Sequence, residues 1–144
     1  MLTVLPEEQP FWFSLTMPAD ARIAPVVREL TARIARQVGC VGDEADALGG
    51  TLVETVSHAI ERGGDGLGGT HVEILFRVDL LAFDVTLLLK GDDDHAAAAL
   101  ARADPATVWP VDVLKRITGR FEISRDPQGS RCRVTRPVGA GKSE

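Results

Sequence analysis

Cysteine, tryptophan and long apolar runs are all scarce in this chain, and each scarcity excludes something. The 144 residues contain two cysteines, Cys40 and Cys132. They form no CxxC pair and no zinc-ligand spacing, so the expectation is two buried or half-buried thiols behaving as small hydrophobes. No apolar run is long enough to cross a bilayer, and no basic-then-apolar signal opens the chain. The cytoplasm is therefore the expected compartment and no membrane partner is expected. An excess of positive charge is missing too. The formal net charge is −5, which argues against nonspecific attraction to DNA or RNA over the whole surface but leaves room for a local basic face. Trp12 and Trp109 are the only tryptophans. Either suits an interface anchor, although core packing is the more frequent role.

What is present is a globular composition, 44% hydrophobic over a length that suits one domain with a sizeable core. Residues 1–10 are expected to be flexible, 11–136 to form the domain and 137–144 to be a disordered tail. Phe11–Met17 alternates as a first strand ended by Pro18. Asp20 suits an N-cap, and Val27, Leu30, Ile34 and Val38 recur at helical spacing up to Gly39. A second helix opens near Asp43, with Leu48, Leu52, Val56 and Ala59 as its apolar stripe, and fails by Gly63-Gly64.

A glycine-rich connector follows to Gly69. It lacks the Lys-Ser/Thr ending of a phosphate loop and precedes a strand, so it reads as a turn. Alternation at Val72–Val78 and at Phe83–Leu89 predicts a hairpin with one buried face, joined through Leu80-Leu81-Ala82. The periodicity then predicts a helix over Asp93–Arg102, a break at Asp104-Pro105 and a short helix at Val111–Thr118. Last comes a hairpin, Arg120–Arg125 and Arg131–Arg136, turned at Asp126-Pro127-Gln128-Gly129. The order predicts an α+β two-layer sandwich, with helices on one face of a mixed, mostly antiparallel sheet.

Three sets of residues are chemically suggestive. Glu54 and His58 lie one turn apart on a helix face away from the apolar stripe, as an acid/base or metal pair would, although two polar residues on the wet side satisfy the same spacing. Asp92-Asp93-Asp94-His95 has carboxylates for a divalent cation but no EF-hand spacing, and acids at a helix N-terminus are favourable without a ligand. Arg131 and Arg133 share one strand face. With Arg116, Arg120, Arg125 and Arg136 nearby they offer either a basic patch or an ordinary solvated face. No aromatic residues interleave Arg131, Arg133 and Arg136, so direct nucleic-acid binding by stacking is not expected.

The order of elements resembles the GHKL (histidine kinase-like) ATPase superfamily, and within it the small anti-sigma-factor serine kinases. Pro18-Ala19-Asp20 with Val27-Arg28 is similar to the opening of their first helix. Glu54-Thr55-Val56-Ser57-His58-Ala59 resembles their Glu-x-x-x-Asn-Ala segment, and Asp84–Gly91 the strand leading to their Asp-x-Gly adenine motif. Val113–Ile117 and Phe121-Glu122-Ile123 look like their last helix and penultimate strand. The resemblance implies Glu54 as general base if the chain is active. It puts His58 where the magnesium-binding Asn stands, although Mg²⁺ prefers oxygen ligands.

The same resemblance puts Leu89 at the adenine-binding Asp, with Gly91 kept. The second glycine motif falls near Val108-Trp109-Pro110, which suits no phosphate cradle. The resemblance thus implies a bacterial pseudoenzyme in signal transduction and transcription regulation, a protein-binding regulator of the anti-sigma or partner-switching kind. Its partner would be a sigma factor, an antagonist-like domain or a signalling kinase, it would have no cofactor, and a homodimer would form through the first strand and helix. An active ATP- and Mg-dependent serine-protein kinase is the alternative. A module whose old cleft holds another small molecule is a third.

Overall fold

The structure is a computed structural model that describes residues 11–37, 39, 42–63, 69–78, 82–116 and 119–137. Cys40, the middle of the glycine-rich connector, Leu80-Leu81, the end of the expected Val111–Thr118 helix and both termini lie outside the described residues.

Period-two alternation becomes a sheet of five strands: β1 (Phe11–Pro18), β2 (Thr70–Val78), β3 (Ala82–Gly91), β4 (Arg120–Asp126) and β5 (Gly129–Pro137). Their spatial order is β1-β2-β3-β5-β4. Every neighbouring pair is antiparallel, so among the described residues the sheet contains no parallel pair where a mixed one was expected. Alternate side chains point to one face, and there Val72, Ile74, Phe76, Phe83, Val85, Leu87, Leu89, Cys132 and Val134 are all buried.

Helices cover that face: α1 (Ala24–Gln37), α2 (Gly42–Gly63), α3 (Asp94–Arg102), and the single turns α4 (Pro105–Val108) and α5 (Val111–Leu114). The stripe of α2 read from the sequence, Leu48, Leu52, Val56 and Ala59, enters the same core as the strands. The fold is the expected two-layer α+β sandwich.

Helix α1 departs from expectation. Val27 is buried, but Leu30 and Ile34 are only half-buried, and the closed face is Val27, Thr31, Ala32 and Ala35. The cause is close approach to α2. A Cβ on Gly49 would meet the Arg28 carbonyl oxygen at 2.9 Å, with the Ala32 Cβ at 3.6 Å. Small side chains let the two helices approach, so the larger apolar residues of α1 stand beside the contact.

This packing strands one group. Among the described residues the Thr31 hydroxyl has no hydrogen-bond partner, although it is buried. An unsatisfied buried hydroxyl costs about 1–3 kcal/mol, and an apolar group of the same shape avoids the penalty. Thr31→Val is therefore expected to raise the melting temperature by a few degrees. A lower melting temperature in thermal denaturation would show that the hydroxyl has a partner.

The ends of elements carry smaller corrections. Asp20 caps a 3-10 turn, Ala21–Ile23, ahead of α1. Its carboxylate accepts from the Arg22 amide at 2.8 Å and from the Arg22 guanidinium at 2.7 Å. The guanidinium hydrogen bond holds the Asp20 carboxyl down to about 2. Asp104-Pro105 starts a helix instead of only ending one. Asp104 accepts from the Ala106 amide at 3.0 Å, and Pro105 takes the first helical position, where its missing N–H costs nothing. Helix α5 stops at Leu114, and the chain turns through Lys115-Arg116.

Candidate functional site

Helix α2 carries Glu54 and His58, but the structure does not bring them together as a catalytic pair. Glu54 is exposed. Its charged neighbour is Arg116, whose Nη1 lies 4.0 Å from Glu54 Oε1, with both side chains more than half exposed. A pair of that kind contributes little.

His58 instead turns towards α4. Its Nδ1 lies 2.9 Å from the Val108 carbonyl oxygen. A carbonyl only accepts, so this bond assigns the proton to Nδ1 and leaves Nε2 as the lone-pair nitrogen of the neutral ring. The imidazole is thus a clamp between the long helix and a single-turn helix. Among the described residues, no three His, Cys, Asp or Glu side chains gather as a metal site.

Of the positions that the resemblance assigned to nucleotide binding, Leu89, Val108 and Trp109 lie in the core. Leu89 has no exposed surface. Trp109, which follows α4, is 1% exposed and donates Nε1–H to Ser130 Oγ at 2.9 Å. Ser130 is the register partner of Leu89 across β3 and β5. Leu89 and Trp109 thereby belong to one hydrophobic core, with Ser130 hydrogen-bonded to the tryptophan and in register with the leucine. Pro110, between those two turns, caps α5 with no side-chain hydrogen bond.

Gly91 is explained by packing. A Cβ there would run into the backbone of Ala96 and Ala97 in the first turn of α3. Its amide donates to the Gln128 carbonyl at 3.1 Å. The glycine lets a helix backbone approach the end of β3.

The acidic run divides by role. Asp93 is the N-cap of α3, accepting from the Ala96 amide at 2.8 Å. Asp92 Oδ1 lies 2.6 Å from His71 Nδ1. Asp94 sits in the first turn, where a negative charge is favourable.

The arginines sort by parity. Arg131 and Arg133 do share the face opposite the helices. Arg131 pairs with Asp126 at 2.9 Å and Arg133 with Asp84 at 3.0 Å. Arg136 does not join them. Its register places it on the covered face, where it is 7% exposed and reaches Glu44 at the start of α2 at 2.8 Å. The two-residue period places residue 136 with Cys132 and Val134, so the signal was in the sequence. Cys132 is fully buried, and burial pushes its thiol up to about 12, which keeps it protonated and inert.

The sequence reading missed the Asp84 cluster. Asp84 lies on the uncovered face yet is only 7% exposed. Thr135 Oγ1 donates to its Oδ1 at 2.6 Å and Arg133 Nη2 to its Oδ2 at 3.0 Å. These residues, with Arg120 and Glu122, line a groove of about 280 Å³. A second groove, largely apolar, runs between β1 and α1 beside Leu15, Pro25, Val26 and Leu30. Trp12, read as either core or anchor, is 68% exposed.

No family model matches the chain, and no curated protein matches it. Among the described residues no helix is long and apolar enough to cross a membrane.

Proposed function

We propose that the chain is a histidine kinase-like ATPase domain whose nucleotide chemistry has been lost and which acts by binding other proteins, as a cytoplasmic bacterial regulator of the anti-sigma or partner-switching type. One observation carries this reading. Leu89 and Trp109, at the positions the resemblance gives to adenine and phosphate recognition, are buried together in the core, with Ser130 beside them. A nucleotide base would have to displace close-packed side chains to reach either.

The partner in this reading is a sigma factor or an antagonist-like domain. A second copy of the chain would associate along the first strand and helix. There Leu15 and Val26 are 36% and 49% exposed beside the apolar groove, the kind of surface that pairs with another protein.

Calorimetric titration of folded protein with ATP, with and without Mg²⁺, tests the proposal. The expected result is no saturable heat. Saturable binding would overturn the reading in favour of an active serine-protein kinase with Glu54 as base, and a phosphorylation assay would follow.

A further inference from the structure

The face of the sheet opposite the helices has no described element over it, and one register row crosses all five of its strands: Trp12, Arg77, Asp84, Thr135 and Arg120. At a strand spacing of about 4.8 Å the row spans about 19 Å. Its charges are unbalanced. Both oxygens of Asp84 are taken, one by Thr135 and one by Arg133. Arg77 and Arg120 flank this closed cluster and are exposed, and among the described residues neither side chain has a hydrogen bond or an ion pair.

An acidic chain therefore presents two unpaired guanidinium groups here, with a largely exposed tryptophan at one end of the row. Arginine and tryptophan are the residue types that most often dominate protein interfaces. Guanidinium grips carboxylate in a planar, two-pronged geometry.

We propose that this row is a docking surface for an acidic segment of a partner protein, with carboxylates on Arg77 and Arg120 and an apolar side chain against Trp12. Charge complementarity selects that occupant. Trp12 is the only aromatic in the row, which gives no platform for successive nucleic-acid bases. The proposal rests on the reading of the chain as a protein-binding regulator and names the partner's chemistry. Glu122, exposed and in register with Arg133 at the groove, opposes the same ligand, so the site can be improved as well as damaged.

The test is fluorescence anisotropy of a labelled peptide of alternating glutamate and leucine, titrated with the full chain. The same peptide with lysine for glutamate and a labelled oligothymidylate serve as comparisons. The expected result is salt-sensitive binding of the glutamate peptide alone. Arg77→Glu with Arg120→Glu should weaken it at least tenfold, Glu122→Lys should tighten it several-fold, and Arg62→Glu at the far end of α2 should leave it unchanged.

All the altered side chains are exposed, so circular dichroism should show every variant folded. Three results would each overturn the proposal: no binding of the glutamate peptide, equal loss in Arg62→Glu, or preference for the oligothymidylate. Each is separate from the ATP titration. A missing peptide signal with no ATP binding removes this surface and leaves the regulator reading, whereas ATP binding removes the reading itself.

Discussion

Leu89→Asp is expected to leave the chain unfolded at neutral pH instead of restoring an adenine contact. The residue is fully buried on β3, between Val72 on one neighbouring strand and Ser130 on the other. Removing a buried leucine side chain costs about 2–5 kcal/mol. An unpaired carboxylate in its place adds several kcal/mol more. The sum reaches the whole stability of an ordinary domain, about 5–15 kcal/mol.

Leu89→Ala, which makes the cavity without the charge, separates the two costs and should remain folded but weakened. Far-ultraviolet circular dichroism and urea denaturation of both variants provide the measurement. A folded Leu89→Asp protein, above all one that binds ATP, would mean that the cleft is open and that the degenerate reading is wrong. Adding Pro110→Gly is not expected to rescue it, because a glycine between α4 and α5 restores none of the leucine packing that is lost.

Trp109 carries the second large effect. Trp109→Ala should cost about 3–5 kcal/mol, the usual range for emptying a buried aromatic site. Trp109→Phe isolates the hydrogen bond. It keeps most of the volume but leaves the Ser130 hydroxyl, 1% exposed, without the indole donor. The expected loss is about 1–3 kcal/mol. Ser130→Ala in the Trp109→Phe background should recover part of it, because both polar partners are then gone. A double-mutant cycle from denaturant titrations gives the coupling. Additivity in that cycle would show that the indole and the hydroxyl do not depend on each other.

Much of the fold was legible because burial has a simple period. Ile74 and Leu87 announce a buried face by alternation, and Leu52 and Val56 announce a buried stripe by helical spacing. Helix α1 was harder. Its buried face includes Thr31, Ala32 and Ala35, with Ala32 and the Arg28 carbonyl against Gly49, and small residues leave no strong apolar stripe. The one-turn helix at Pro105 was hidden by the same proline that opens it, since a proline reads equally as a break and as a first helical residue.

The candidate site was legible only in part. Positions on one element, such as Glu54 and His58, can be placed by spacing. Contacts between elements cannot. That His58 meets Val108, that Trp109 meets Ser130 and that Asp84 is closed by Arg133 and Thr135 all depend on tertiary pairing. A single sequence carries no direct signal for it.

The position of β5 has a consequence for how the molecule is made. The last described strand, β5, is not at a margin of the sheet but between β3 and β4. During vectorial synthesis β3 emerges with one side unpaired, and β4 has no neighbour to join until the residues after Gly129 arrive. The nascent chain thus carries an open strand edge on β3, the kind that recruits other chains, until the residues after Gly129 emerge. The sheet closes in one step that joins β4 to β3 through β5, which ties the survival of the newborn protein to the speed at which β5 is made.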